Sequence, residues 1–160
     1  MISRIRPLNM NVTFEDRLYK LGETVDLVVE LDARGDAEVR EGRVDLVCEE
    51  RYTEVYVRQF PATHGLAGTG TMGPSVRIPG HSKQVTERHR DTYVHSSVTF
   101  LKDTRLQSGT PAVFNVKLEI QLDPPPHATK GTVKWELVTS VDVAKARDVT
   151  KKHAIKVALT

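Results

Sequence analysis

The sequence predicts an all-β protein, an antiparallel β-sandwich of about seven to eight strands. Three observations carry that prediction. From Ala112 to Leu122 the even positions are Ala112, Phe114, Val116, Leu118, Ile120 and Leu122, with Asn115, Lys117, Glu119 and Gln121 between them. From Val133 to Val143 the odd positions are Val133, Trp135, Leu137, Thr139, Val141 and Val143, interleaved with Lys134, Glu136, Ser140 and Asp142. Strand side chains alternate between faces, so each stretch has one apolar and one wet face. Turn residues recur at regular intervals along the rest of the chain, and no useful window carries a helical period. The connection Asp123-Pro124-Pro125-Pro126-His127 can be neither helix nor ladder, which suggests that the two alternating stretches form a closing hairpin around it.

The remaining elements follow in order. Met10 to Phe14 alternates and opens the sheet, and Arg17 to Gly22 is a turn-rich connection. Val25, Leu27, Val29 and Leu31 share one face of the next strand, opposite Thr24, Asp26 and Glu30. Asp32 to Asp36, with Gly35, reads as a hairpin loop. Arg43 to Arg51 places Val44, Leu46 and Cys48 on its apolar side. Tyr52 to Phe60 is aromatic and β-branched, with Glu54 and Arg58 on the face of Tyr52, Tyr56 and Phe60, and reads as partly buried. Lys83 to Leu101 has strand character with poor alternation, Asp103 to Thr110 is a turn, and Ile155, Val157 and Leu159 close the chain.

Between these strands the composition changes. Residues 61–80 hold five of the ten glycines and three of the eight prolines, and Arg77 is their only charge. We expect a long Gly/Pro-rich loop there, and a loop of that length is either functional or mobile. His64, Leu66, Met72, Arg77 and His81 are the candidate partner-contact residues of that loop.

Length and charge set the frame. The 160 residues predict one sandwich domain spanning 1–160. A net charge of +2, without a concentrated basic segment beyond Lys145, Arg147, Lys151 and Lys152, predicts no nucleic-acid partner. Met1 to Pro7 is too short and too charged for a signal peptide, and no apolar run reaches membrane-spanning length. A single cysteine, Cys48, permits no internal disulfide. The expectation is a cytoplasmic protein without an integral membrane segment, in which Cys48 is an inert core thiol.

Motifs that look chemical fail on context. Gly68-Thr69-Gly70-Thr71-Met72-Gly73 fits a dinucleotide fingerprint, but Pro74 and Pro79 follow where the phosphate-binding helix must begin. His89-Arg90-Asp91 echoes a kinase catalytic loop, yet Ser96 stands where a metal-binding asparagine is required. His89 and His95 are six residues apart, roughly 20 Å along a strand, too far to share an ion. His64, His81 and His127 are the metal-ligand alternative, and exposed loop histidines the plainer reading. No serine sits in a nucleophile's strained turn. No cofactor and no catalysis are expected.

Leu18-Tyr19-Lys20-Leu21-Gly22-Glu23-Thr24-Val25, then Val28 to Leu31, resembles the N-terminal signature of arrestin-like domains. Val39 to Glu49 resembles that family's second long strand, and Gly109 to Phe114 its glycine-then-phenylalanine strand entry. Pro124 to Pro126 stands at its proline-rich turn, and Val133 to Leu137 at its aromatic-bearing strand. In pattern the sequence is similar to the bacterial arrestin-like proteins of the sporulation-control type. The resemblance implies an immunoglobulin-like sandwich acting as adaptor or scaffold, without catalysis or cofactor. It carries over no binding residue, and the chain has room for one of the family's two lobes.

Function is therefore expected to be protein interaction through a sheet edge or the 61–80 loop, with homodimerisation as one form of it. A carbohydrate-binding sandwich is the alternative, disfavoured because Trp135 sits at an inward position. A metal-dependent enzyme built on the three histidines is the third reading.

Overall fold

The computed structural model of the chain describes residues 7–60, 63–66, 75–78 and 80–159. Among the described residues ten strands run in the order β1 Leu8–Phe14, β2 Leu18–Lys20, β3 Thr24–Ala33, β4 Ala37–Phe60, β5 Thr63–Leu66, β6 Ser75–Ile78, β7 His81–Leu106, β8 Ala112–Glu119, β9 Gly131–Val143 and β10 Val149–Ala158. They form a three-stranded sheet β1-β3-β8, a five-stranded sheet β2-β10-β9-β4-β7 and a separate pair β5-β6.

The first two sheets face each other. Leu8, Met10 and Val12 of β1, Val25, Leu27, Val29 and Leu31 of β3, and Val116 and Leu118 of β8 turn the buried half of each alternation inward. Opposite them lie Val44, Leu46 and Cys48 of β4 and Trp135, Leu137 and Val141 of β9. The register sets Leu46 beside Leu137 and Cys48 beside Trp135. The predicted sandwich stands, with Trp135 only 4% exposed. Burial removes the stabilising hydration of a thiolate, so the Cys48 thiol is pushed up from its ordinary value.

Partners differ from the sequence expectation in two places. The stretches 112–122 and 133–143 are not a hairpin. β8 pairs with β3, β9 pairs with β10 and β4, and the proline turn crosses from one sheet to the other. Two one-sided strands can satisfy their apolar faces by looking at each other across a core as well as by lying side by side. The bend at Arg34–Asp36 likewise joins different sheets and is no hairpin loop. The 17–22 connection contains β2, a short strand that pairs in parallel with the end of β10.

Gly22 shows what the Tyr-Gly-Glu segment does. Its φ of +88° lies in the left-handed region where a side chain is strained. There its N–H donates to the Ile120 carbonyl at 2.9 Å, and Ile120 N–H donates back to Glu23 at 2.8 Å. Tyr19, buried, donates its hydroxyl to the Glu15 carbonyl at 2.7 Å, while Arg17 stacks 4.0 Å above its ring and binds Glu23 at 2.8 Å. The corner locks the entry to β3 against the exit from β8.

The strongest departure is in length. β4 has 24 residues and β7 has 26, each one continuous strand. β9 accompanies β4 only from Val39 to Tyr52, where it begins at Gly131. β4 and β7 continue as an antiparallel ribbon until Phe60 meets His81. Residues 53–60 and 81–88 therefore form an arm beyond the sandwich, and β5 and β6 pair with each other in the connection between its two strands. The region expected as loop thus holds a ladder.

Candidate interaction surface

The root of the arm is a buried polar cluster built by strand parity. Even positions of β4 face the core through Val44, Leu46 and Cys48, so Glu50 and Tyr52 must also turn inward. Glu50 is 1% exposed. Its carboxylate accepts the Tyr93 hydroxyl at 2.6 Å and the His127 backbone N–H at 2.8 Å, with His127 Nδ1 3.3 Å away. Burial first, and then the bond to Glu50, raise the Tyr93 phenol well above its ordinary value. A phenol held neutral remains a donor, which the buried carboxylate needs.

Above this bond lies a three-ring stack. The Tyr52 ring is 4.2 Å from His127 and 4.9 Å from His89, at interplanar angles of 12° and 19°. Its hydroxyl donates to Asp91 at 3.0 Å. His89 Nε2 lies 3.4 Å from Glu54 and 3.6 Å from Glu87, yet makes no hydrogen bond to either. Nearby, His95 packs edge-on to Trp135 at 5.0 Å and its Nε2 meets the Gln121 carbonyl at 3.2 Å. Through these contacts the crossing turn is fastened to both strands of the arm. Gly131 completes the junction: any Cβ there would collide with the Arg51 carbonyl, so β9 can start beside β4 only with glycine.

The arm has two different faces, because directly opposed residues of an antiparallel pair share a side. One face carries Glu54 opposite Glu87, Tyr56 opposite Val85 and Arg58 opposite Lys83, with Tyr56 donating to Glu87 at 2.6 Å. The other carries Val55 opposite Thr86, Val57 opposite Gln84 and Gln59 opposite Ser82. From Val55 outward that second face has no charge, and Val55 and Val57 are 55% and 62% exposed. The arm also has two backbone edges. β7 is the outer strand of its sheet, and β4 becomes an edge once β9 has ended.

The sequence-derived candidates are distributed along this arm. His64 lies opposite Arg77 in the β5–β6 ladder, and Leu66 opposite Ser75. His81 begins β7 opposite Phe60. Met72 and the Gly68–Gly73 run lie outside the described residues. His127 is not with His81: it stacks on Tyr52, and His81 sits eight residues further out, roughly 26 Å along the ribbon. His64, His81 and His127 therefore do not form one metal site. Among the described residues no group of three His, Cys, Asp or Glu side chains could hold an ion. Sequence reasoning left Glu50, Tyr52 and His89 unassigned as a unit. The available signal was parity, since Glu50 continues the inward positions of Val44, Leu46 and Cys48. Trp135 is buried and offers no platform to a sugar. Among the described residues no helix is long and apolar enough to cross a membrane.

Facing sheets of three and five strands, entered through the Tyr19–Gly22–Glu23 corner, define an immunoglobulin-like, arrestin-type β-sandwich. No protein-family model and no curated protein matches the sequence. Among solved structures the chain is similar to Spo0M, the sporulation control protein from Bacillus subtilis, with a TM-score of 0.64 and 19% identity. The match covers 96% of this chain and 50% of that one, so the chain spans half the length of the structure it matches. The likeness is one of fold.

Proposed function

We propose that this chain is a non-catalytic, intracellular protein-interaction module of the adaptor or scaffold type, and that the arm is its contact element. The observation that carries the reading is the uncharged outer face of the ribbon, with Val55 and Val57 in water. A two-stranded ribbon is marginal by itself in water and gains stability from a third strand or a covering surface. Its two edges, unpaired among the described residues, can each accept an extended strand by backbone pairing, and alternate side chains then read the partner. A second copy of the chain supplies such a strand, so homodimerisation through the arm is part of the proposal. The structural likeness to a protein named for sporulation control supports a regulatory setting.

The test is to replace residues 54–87 by Asn-Gly, joining Thr53 to Arg88, which face each other in the native ladder. The intact chain is expected to self-associate with rising concentration in sedimentation velocity. The shortened chain is expected to stay monomeric with an unchanged urea midpoint. Equal association by both forms would remove the arm from the interface.

A further inference from the structure

On the outward side of the arm's root, where β9 gives out, β4 and β7 gather positive charge. Arg51 stands directly opposite Arg90, and Arg88 follows two residues along β7, opposite Thr53. Three guanidinium stems are thus rooted within about 8 Å of one another. Like charges set opposite each other in a ladder are unfavourable, and the local counter-charge is small. Among the described residues Glu49 alone serves two of them: Arg51 Nε binds its Oε1 at 2.6 Å, and Arg90 Nε the same oxygen at 3.1 Å. The load on that one carboxylate lowers its pKa, with the Arg51 bond first and the Arg90 bond second. Arg88 has no carboxylate partner among the described residues, and neither has Lys130, which arrives from the crossing turn immediately before Gly131.

These residues line an open depression of about 490 Å³ together with Thr53 and Thr132. No Asp or Glu is among its lining residues. Its volume falls in the range of small-ligand sites. Thr132 lies opposite Arg51 on the side of β4 away from β7, and Thr53 follows Arg51 two residues along β4 opposite Arg88, so two hydroxyl donors border the arginine group. The register fixes these neighbours: Gly131 admits no Cβ against the Arg51 carbonyl, and Lys130 N–H is tied to the His127 carbonyl at 3.1 Å. Arginine forks and an ammonium group around hydroxyl donors match closely spaced anionic oxygens, as in a diphosphate.

We propose that the depression between Arg51, Arg88, Arg90 and Lys130 is a binding site for a small multivalent oxyanion of the diphosphate class. Arg88 and Lys130 supply the uncommitted charge, Arg51 and Arg90 share theirs between Glu49 and the ligand, and Thr53 and Thr132 donate hydroxyls. The proposal stands independently of the arm's role in protein contact, since it uses the opposite end of the ribbon from β5 and β6.

Calorimetric titration of the full chain with inorganic pyrophosphate tests it. One saturable site is expected. Arg88→Ala and Lys130→Ala are each expected to weaken it by about tenfold or more, the loss of a charge-assisted hydrogen bond. Among the described residues neither has an ion pair to lose, and circular dichroism should confirm an unchanged fold. Lys156→Ala, on β10 beside the edge strand β2, should bind as the native chain does. Absence of saturable binding, or an equal loss in Lys156→Ala, overturns the proposal. Co-sedimentation with vesicles of equal phosphatidylcholine and phosphatidylglycerol distinguishes the source. Capture that Arg88→Ala abolishes assigns the oxyanion to a lipid headgroup, and pyrophosphate binding without capture assigns it to a free ligand.

Discussion

The buried carboxylate of Glu50 accepts the backbone N–H of His127 at 2.8 Å, and this bond ties the turn between the two sheets to the strand that becomes the arm. A second bond, from Tyr93 at 2.6 Å, brings in the arm's other strand. One side chain thus holds three chain segments that are far apart in sequence.

Glu50→Ala leaves the His127 N–H and the Tyr93 hydroxyl without their acceptor, and is expected to cost about 3 kcal/mol. Tyr93→Phe should cost less, about 1 kcal/mol, because the carboxylate keeps the His127 bond. Combined, the two substitutions should cost less than their sum, since they share one bond. Urea unfolding of the three variants checks the cycle, and strict additivity would show that the bond contributes nothing.

Gly131→Ala should destabilise the fold by about 1–3 kcal/mol, as overpacked sites do. The damage should be local to the start of β9, so amide exchange is expected to quicken at residues 131–133 and 51–53 before it does at Trp135. Uniform acceleration across the sheet would contradict this.

Alkaline stability follows from the tyrosines. Tyr93 is raised by burial and by Glu50, Tyr19 and Tyr52 chiefly by burial, and Tyr56 chiefly by its bond to Glu87. Each folded phenol holds its proton after the unfolded phenol, with an ordinary value of 10.0, has released it. Their contribution is fully present below pH 10.0 and is lost progressively above it as pH rises toward the folded values. Urea unfolding between about pH 8 and about pH 11 should show falling stability, with a shallower fall in Tyr93→Phe. A flat profile would contradict the assignment.

Val55→Arg and Val57→Arg place charge on the arm's uncharged face, where both native side chains are more than half exposed. Global stability should change by no more than about 0.5 kcal/mol. Self-association in sedimentation velocity should be lost. Retained association would move the interface elsewhere.

The sandwich was legible in the sequence because its strands bury one face each. β3, β8 and β9 show that alternation plainly, and inward Trp135 and Cys48 follow from it. Period two reports a face and does not report a neighbour, which is why β8 and β9 looked like a hairpin when they lie in opposite sheets. The arm was illegible for a related reason. From Val55 to Gln59 every residue is exposed, so no hydrophobic period exists there to detect. β7 is irregular to the eye because the ladder slips between Gly42 and Arg43 and again between Leu46 and Val47, shifting which parity faces the core. The Tyr52 stack depends on His127, 75 positions away by residue number, and no local pattern encodes that meeting.

The ending of β9 at Gly131 has a mechanical meaning. A ribbon clamped on one side at Tyr52, with no third strand beside it among the described residues for roughly 26 Å beyond, is a cantilever. Each ten degrees of rocking at the clamp sweeps its outer end through about 5 Å, given that length. The stacked rings of His89, Tyr52 and His127 sit at the fulcrum, so whatever tightens or loosens that stack is amplified at the tip.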